Sequence, residues 1–258
     1  MGTVLKLGGE LLEDAAAVRG AATAIVRLAG REPLVVVHGG GRAIDAELRA
    51  RGLEPRFADG LRVTDAATLD SVVAVLAGRT NTALVAAVGL AGGRGVGLTG
   101  ADASIGLSIK AAPLSTSNGE VIDLGLVGEP AGTDASLVTD LLRLGYIPVV
   151  ASVGVSADGT LLNVNADTFA AHLAAASGAR RLIIAGTTRG VLDESGAAIP
   201  EVDEAAVARL TSSGTAHSGM VAKLTACRHA LAGGVRSVSI VNGRGVEDFD
   251  AAVGTIVR

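Results

Sequence analysis

The chain has 258 residues, a formal net charge of −4, and 49% hydrophobic against 19% charged residues. This length and composition predict one large α/β domain or two modest lobes around a substantial core. Aromatic residues make up 2%, Trp is absent and no basic stripe occurs, which argues against nucleic-acid binding. A single cysteine excludes an internal disulfide, and the spacing of the four histidines predicts no protein-built metal site.

Arg, Asp or Gly interrupts every apolar run before it approaches the ~20 residues of a membrane span. No cleavable apolar segment is visible at the N-terminus, and together with the lone cysteine this predicts a cytoplasmic protein. Lysine is scarce, since the 22 basic residues include only Lys6, Lys110 and Lys223. Arginine is the default cation here, so each retained lysine suggests a position that needs a compact ammonium.

The first elements predict a strand, a helix and a second strand. Thr3–Leu7 is a short apolar strand followed by two glycines, and Ala15–Ala29 is an amphipathic helix with Asp14 as its N-cap. Leu34–Val37 is a buried strand that runs through a histidine into Gly39–Gly41 and a helix over 42–51. A right-handed crossover makes these strands parallel neighbours, so both glycine turns share one sheet edge. Parallel sheets bind ligands there, and glycine turns let N–H groups approach anions.

The middle of the chain predicts a helix and a hairpin. Thr64 is expected to cap a helix whose inward residues are Leu69, Val72, Val73 and Leu76, with a further helical piece at Thr80–Val88. Gly95–Gly100 matches GxGxxG but follows a helix and opens none, which favours a turn and strand over a dinucleotide site. Ile105–Lys110, a turn at Ser117–Gly119 and Val121–Leu126 predict a hairpin that walls a substrate pocket, with Lys110 as a solvated strand residue.

The remaining elements continue the alternation of strands and helices up to the last strand. Before the lobe boundary near Gly178, the predicted order is a helix capped by Asp134 and closed by Gly145, a strand at Ile147–Ala151, a turn at Asp158-Gly159, and a strand leading into a helix with Phe169 and Leu173. After the boundary we expect a strand at Arg181–Ala185, a helix opened at Asp203 and a Ser/Gly loop over Thr211–Gly219. A long helix with Met220, Leu224, Cys227 and Leu231 inward and a strand at Ser237–Val241 follow.

Six short motifs occur in order over nearly the whole chain: KLGG at Lys6–Gly9, VHGGG at Val37–Gly41, GLRVTD at Gly60–Asp65, GYIPVV at Gly145–Val150, NVNAD at Asn163–Asp167 and SGMVAKL at Ser218–Leu224. Together they resemble the amino-acid kinase family. The GLRVT and NVNAD pair is most similar to the branch that acts on N-acetyl-L-glutamate. The resemblance implies a three-layer α/β/α sandwich with a mainly parallel central sheet. Residues 1–178 would form the acyl-amino-acid-binding and dimerisation lobe, and residues 179–258 the ATP-binding lobe.

The resemblance also implies a reaction, in which the γ-phosphoryl group of ATP moves to a side-chain carboxylate and gives an acyl phosphate and ADP in arginine biosynthesis. The acceptor is already ionised at neutral pH, so the site needs cations and N–H donors rather than a base. Lys6 and Lys223 would stabilise the transition state, and Asp167 would hold both ammonium groups. Magnesium would arrive with ATP, held mainly by phosphates, because no carboxylate cluster is evident.

The same resemblance assigns binding residues. Arg62 would clamp the α-carboxylate of the acceptor, and Asn163 would hydrogen-bond the same end. Backbone N–H groups of Gly8, Gly9, Gly39 and Gly40 would contact the phosphoryl oxygens and the acceptor. Contacts to ATP are predicted at Gly8, Gly9, Thr187, Thr188, Gly190, Val191, Leu192 and Gly219. No protein residue is predicted to bind metal.

Each of these residues also has a structural interpretation. Asp167 would also suit a helix N-terminus as an acid favoured by the dipole, Arg62 a solvated loop, and Asn163 a side-chain bond within a turn. His38 is interpreted as a packed residue at a strand end. Two rival functions stay open. One is a sister kinase acting on an aminoadipate-type acid in lysine synthesis. The other is a catalytically silent nucleotide sensor, which would predict the loss of one of the residues Lys6, Lys223 or Asp167.

Three departures from the family pattern bear on nucleotide binding and assembly. The segment Ala185–Leu192 is one residue longer than the family's TDVPGVL-like stretch and lacks its acid. His217-Ser218-Gly219 stands where two glycines are common. Arginine-inhibited members carry an extra N-terminal helix that builds hexamers, whereas only Met1 and Gly2 precede the first strand here. We therefore expect a homodimer insensitive to arginine, built on N-lobe helices with apolar outer faces such as Leu69–Leu76.

Overall fold

A computed structural model describes residues 2–116, 118–193, 195–212 and 218–258. Its strands, numbered along the chain, are β1 Thr3–Leu7, β2 Leu34–His38, β3 Phe57–Ala58, β4 Leu61–Arg62, β5 Gly95–Thr99, β6 Leu107–Lys110, β7 Leu114–Ser115, β8 Val121–Ile122, β9 Val127–Gly132, β10 Ile147–Ala151, β11 Val153–Val155, β12 Leu161–Val164, β13 Arg181–Gly186, β14 Glu201–Val202, β15 Ser237–Asn242 and β16 Gly254–Val257. Its α-helices are α1 Ala15–Ala29, α2 Gly41–Ala50, α3 Ala66–Val73, α4 Asn81–Leu90, α5 Ser136–Arg143, α6 Ala166–Ala176, α7 Glu204–Ser212 and α8 Ser218–Ala232.

Eight of these strands form one central sheet in the order β14-β16-β15-β13-β1-β2-β10-β5. Every neighbouring pair in it is parallel except β15 and β16. The first strand lies between β2 and β13, and Lys6 is in register with Val37 on one side and Ile184 on the other. The predicted crossover is therefore confirmed, and the turns after β1 and β2 lie side by side.

Alternating residues of the strands pack into two separate cores. In β2, Val35 and Val37 join the cluster under α6 and α8, whereas Leu34 and Val36 join the cluster under α1 and α4. Burial of both faces explains why these strands are apolar throughout. Helices cover both faces of a mainly parallel sheet, which confirms the predicted α/β/α sandwich.

Helix starts follow the predicted side-chain caps at Asp14 and Asp203, but not at Thr64 or Asp134. The N-cap of α5 is Ala135, although the carboxylate of Asp134 accepts a hydrogen bond from Ser136 N–H just before the helix. The carboxylate of Asp14 accepts hydrogen bonds from the N–H groups of Ala16 and Ala17 at the start of α1, as predicted. The helix α3 is capped by Asp65, which accepts from Thr68 N–H at 2.8 Å, and not by Thr64. Thr64 is fully buried in a bridge to Gly125, and its hydroxyl donates to the carbonyl of Arg62. Because Thr64 pairs with Gly125, it does not serve as the N-cap that the local sequence pattern favoured.

Residues Ala66–Leu90 form one continuous helical rod of α3, a π-helical segment at Ala74–Thr80 and α4. Contrary to the expectation from interrupted apolar runs, this helix of 25 residues is long and apolar enough for a membrane span by length and composition alone, with a mean hydropathy of 1.5 over an 18-residue window. Leu69, Val72 and Leu76 are instead buried within this chain, where the last two pack with Ile44 of α2. The prediction that Leu69–Leu76 presents an apolar outer face for a dimer is therefore wrong.

A smaller β structure stands beside the carboxyl edge of the main sheet. Strands β6, β9, β11 and β12 close on themselves, and the short hairpin β7–β8 extends from them. Ser117 of the predicted turn lies outside the described residues, as do 213–217 of the predicted Ser/Gly loop, His217 among them. The GxGxxG stretch forms β5 at the sheet edge, beside β10, as the strand interpretation expected.

Candidate active site

A cavity of about 780 Å³ opens at the carboxyl edge of the sheet, where the two glycine turns meet. That volume lies in the range of small-molecule sites. The hairpin β7–β8 contributes Leu114, and the small β structure contributes Val127 and Glu129. A hairpin therefore lines the cavity, but the predicted pairing of Ile105–Lys110 with Val121–Leu126 is wrong, because β6 pairs with β9 and β8 pairs with β7. The polar side chains that line the cavity are Lys6, Glu10, Arg62, Ser115, Glu129, Ser152, Asn163, Asn165, Asp167, Thr168, His172 and His229.

Two lysines converge on one carboxylate at the base of this cavity. Lys6 Nζ lies 2.8 Å from Asp167 Oδ1, and Lys223 Nζ lies 3.1 Å from Asp167 Oδ2. The side chains of Lys6 and Asp167 are 7% and 6% exposed, and that of Lys223 is 17% exposed. The triad thus brings two cations and one anion together, with one net positive charge, and its members Lys6 and Asp167 line the cavity.

The local sequence explains how three elements meet there. Lys6 alternates with Leu5 and Leu7, which belong to the core under α1, so its side chain lies on the α6 and α8 side. Asp167 is the second residue of α6, where the side chain of Asn165 accepts from the N–H groups of Asp167 and Thr168. Asp167 does lie in the first turn of a helix, as its structural interpretation predicted, but its carboxylate is bound by both lysines.

The two lysines keep the Asp167 carboxylate charged. Burial alone raises the pKa of the Asp167 carboxyl, and the charges of Lys6 and Lys223 outweigh that effect and hold the pKa below its usual value. His38, which ends β2, behaves differently because burial without a charged partner lowers its pKa to about 4. Its Nε2 lies 3.1 Å from Asn81 Nδ2. It is a neutral packed residue, as the sequence interpretation preferred.

Arg62 is enclosed on several sides. Its Nη2 lies 2.7 Å from Asp45 Oδ1 and donates to the carbonyl of Gly41 at 3.2 Å. The ring of Phe57 lies 4.7 Å from its guanidinium carbon. The side chain is 7% exposed, so Arg62 is not a solvated loop residue. Because the guanidinium touches the first residue of α2, the predicted acceptor clamp is joined to the glycine turn after β2.

Asn163 is linked to Arg62 through Thr64. The Asn163 amide donates to Thr64 Oγ1 at 3.1 Å, and that hydroxyl donates to the carbonyl of Arg62 at 3.0 Å. A bond spanning 99 residues is not a bond within a turn, so the local interpretation of Asn163 is wrong. The GLRVT and NVNAD motifs, distant in sequence, therefore meet at one side of the cavity.

The glycine turns touch each other directly. A Cβ on Gly9 would lie 2.5 Å from the Cα of Gly40, so any residue with a side chain would clash with the backbone there. The predicted N–H donors are only partly available, because Gly8 N–H donates to the carbonyl of Ala185 at 2.8 Å and Gly39 N–H to that of Leu7 at 3.3 Å. These two N–H groups continue the strand ladders, which corrects the prediction for Gly8 and Gly39. Within the described residues the N–H groups of Gly9 and Gly40 have no protein acceptor.

The predicted ATP segment lies after β13 and, within the described residues, does not line the cavity. Val191 is 2% exposed and its N–H donates to Thr255 Oγ1, so its side chain belongs to the core, and the predicted ATP contact at Val191 stays a prediction. Thr188 donates to the carbonyl of Gly190 within its own turn. Thr187 and Leu192 are exposed, as is Gly219 near the start of α8.

Sequence reasoning missed three groups of this site. Asp45 pairs with Arg62 across 17 positions of sequence, and no local pattern marks it. His172 and His229 stack with ring centroids 3.6 Å apart at the cavity, one on α6 and one on α8. Glu10 lines the cavity directly after the first glycine turn. Only Glu10 had a sequence signal, namely its position directly after the KLGG motif.

This chain is similar to known proteins over nearly its whole length. The amino acid kinase family matches residues 1–242. The acetylglutamate kinase of Sphingopyxis alaskensis is 42% identical over 247 residues, which cover 93% of this chain and 82% of that protein. The acetylglutamate kinase of a Synechocystis species is 43% identical over 246 residues, with coverage of 93% and 80%. The crystal structure of the Streptococcus mutans protein smu.665 superposes with a TM-score of 0.80 at 25% identity, over 99% of this chain and 97% of that chain.

Proposed function

This chain belongs to the amino acid kinase family, and from that membership we infer that it transfers the γ-phosphoryl group of ATP to the side-chain carboxylate of N-acetyl-L-glutamate. The products are N-acetyl-L-glutamyl 5-phosphate and ADP, in arginine biosynthesis. The observation that carries the inference on the side of the structure is the Lys6–Asp167–Lys223 triad. Relatives named acetylglutamate kinase at about 40% identity supply the substrate.

The proposed mechanism needs no base, because the acceptor carboxylate is ionised at pH 7. Two anions must meet, so the protein's task is to position them and to offset the charge on the transferred oxygens. Lys6 and Lys223 would supply that charge, and Asp167 would hold both ammonium groups in place. The N–H groups of Gly9 and Gly40, which have no acceptor in the described chain, would donate to the same oxygens.

A hydroxylamine trap tests the reaction. Acyl phosphates react with hydroxylamine, so the enzyme is incubated with Mg·ATP and a panel of N-acetyl-L-glutamate, free L-glutamate, an aminoadipate-type acid and its N-acetyl form. Hydroxamate formed from N-acetyl-L-glutamate alone supports the proposal. Hydroxamate chiefly from the aminoadipate-type acids would identify a sister kinase, and ATP binding with no hydroxamate from any acceptor would identify a nucleotide sensor.

Within that panel we expect free glutamate to be a poor acceptor. The side of the cavity beside Arg62 and Asn163 is lined by apolar side chains, Leu61, Leu114, Leu124 and Val127. Such a lining suits an acetyl group and leaves a buried ammonium without a partner. The measurement is kcat/KM for the two acceptors. Equal values would contradict this and would point to Glu129 as a partner for the ammonium.

Arg62→Ala is expected to raise KM for N-acetyl-L-glutamate by about 10–100-fold with a smaller change in kcat, because a charge-assisted bond made equally in the ground and transition states is lost. Arg56→Ala, which removes a 65% exposed arginine 3.6 Å from Asp65, is the matched control. An acceptor without the α-carboxylate, N-acetyl-4-aminobutyrate, should be insensitive to Arg62→Ala. A fall in kcat at unchanged KM would instead assign Arg62 to the phosphoryl group.

The metal, the division into lobes, the ATP contacts, the cellular location and the assembly are proposals as well. We propose that magnesium accompanies ATP, that residues 1–178 bind the acceptor and 179–258 the nucleotide, and that Thr187, Leu192 and Gly219 lie close to bound ATP. A cytoplasmic homodimer fits a chain whose single cysteine is buried and whose Leu90, at the end of the rod Ala66–Leu90, is 80% exposed. Sedimentation equilibrium would decide the assembly, with one chain of 25.4 kDa as the unit. Insensitivity to arginine stays a prediction.

A further inference from the structure

Glu10 occupies the place where the ends of β1 and β13 meet. All three atoms of its carboxylate lie over Gly8, in the space that a Cβ on that residue would need. Its Oε1 lies 3.0 Å from the position that a Cβ on Gly186 would take, and Lys223 Cε lies 4.0 Å from that same position. The buried side chains of Leu11 and Leu12 anchor the turn that carries Glu10. The Glu10 carboxylate thus lies near the Lys6–Asp167–Lys223 triad and over Gly8 and Gly186, which stand at the ends of β1 and β13.

Within the described residues this carboxylate has no ion pair and no hydrogen-bond partner. The two nearby cations, Lys6 and Lys223, are both bound to Asp167. The next acid in sequence behaves differently, since Glu13 lies 3.0 Å from Arg42. Glu10 is therefore a partnerless negative charge that lines the cavity in which two anionic substrates are proposed to meet.

A bare carboxylate beside incoming phosphates is repulsive unless a cation lies between them. Magnesium is usually bound by one or two carboxylates together with substrate phosphates, rather than by a cage of protein ligands. No group of three or more potential metal ligands occurs in the described chain, so the protein by itself offers no such cage. One free carboxylate next to glycines at the strand ends fits a metal that arrives with its nucleotide.

We propose that Glu10 binds the divalent cation that accompanies ATP, and so makes that cation a requirement for nucleotide binding as well as for transfer. This rests on the proposed phosphoryl transfer, because it is that reaction which brings a triphosphate to the cavity. Glu10 repels metal-free ATP and attracts metal-bound ATP. The same side chain therefore has opposite effects on two forms of one ligand.

Glu10→Gln tests this, because glutamine keeps the shape and removes the charge. Dissociation constants are measured by calorimetry for ATP in EDTA and for ATP with saturating Mn²⁺. We expect the variant to bind metal-free ATP about three- to tenfold more tightly than the wild type, and Mn·ATP about tenfold more weakly. Water-proton relaxation of bound Mn·ATP reports the metal environment independently of turnover, and it should change in the variant.

Glu13→Gln is the matched control, since it removes an equal charge that pairs with Arg42, and it should leave both constants unchanged. Retained affinity for N-acetyl-L-glutamate shows that the Glu10 variant is folded. Tighter binding of both forms of ATP would mean that Glu10 only repels, and unchanged binding would mean that it does neither; each overturns the proposal. A wild-type enzyme that binds no ATP in either form would instead overturn the proposed function.

Discussion

Lys6→Arg and Lys223→Arg are each expected to lower kcat by about 10²–10³-fold although both keep the positive charge. Each ammonium touches Asp167 within 3.1 Å, and Lys6 does so from a side chain that is 7% exposed. A guanidinium is planar and larger than an ammonium, so it cannot occupy that space and still direct charge at the transferred oxygens. A mismatch on the scale of 1 Å is enough to cost such a factor.

The third lysine of the chain is the matched control. Lys110 has a 54% exposed side chain and pairs with Asp123 on the surface at 3.1 Å, as its interpretation as a solvated strand residue predicted. Lys110→Arg should therefore leave kcat and both KM values unchanged. Steady-state kinetics on the three variants decide the matter. If either active-site variant keeps more than half of the wild-type kcat, that lysine has a structural role only.

The fold was predictable where local chemistry and packing agree. The strand over Thr3–Leu7, the helix capped by Asp14 and the all-apolar second strand follow from side-chain caps and from burial on both faces. The register of β1 between β2 and β13 then brings Lys6 to the side of α6. The triad itself was predicted from the resemblance to the amino-acid kinase family, and the register explains how Lys6 reaches it.

What could not be predicted depends on contacts between distant segments. Thr64 looked like a cap, but pairing with Gly125 buried it and left the cap to Asp65. The apolar face of α3 looked free, but α2 covers it. Two glycine N–H groups looked available, but the strand ladders use them. Each error concerns a side chain, a helix face or an N–H group that has several possible partners, and the choice among them depends on contacts between segments distant in sequence.

The two site carboxylates that were not predicted, Asp45 and Glu10, also depend on how the chain folds. Asp45 became part of the site only when α2 brought it within 2.7 Å of Arg62, and Glu10 only when its turn folded back over Gly8. Neither belongs to a motif defined by spacing. A surface acid and a site acid look alike in sequence, and only burial and the absence or presence of a partner separate them.

Asp167→Asn is expected to abolish most of the activity and to lower the free energy of unfolding by about 3–5 kcal/mol at pH 7, because it leaves the buried ammonium of Lys6 and the half-buried one of Lys223 without a counter-charge. Asparagine has the shape of aspartate, so no cavity contributes to the loss. Asp158→Asn is the control, since that carboxylate is exposed and, among the described residues, accepts from Ser156 and Thr160 in its own turn. We expect the control to change the free energy of unfolding far less than Asp167→Asn does.

The acid dependence of unfolding separates charge from packing in this variant. The pKa of Asp167 is lowered in the folded chain by Lys6 and Lys223, so its stabilising effect is complete above the unfolded-state pKa near 3.9 and is lost as the pH falls through the lower folded value. Urea unfolding of wild type and Asp167→Asn should therefore differ most at pH 7 and converge as the pH falls below about 4. A difference that stays constant over this range would mean that Asp167 acts through packing and hydrogen bonds, and that the two lysines do not depend on its charge.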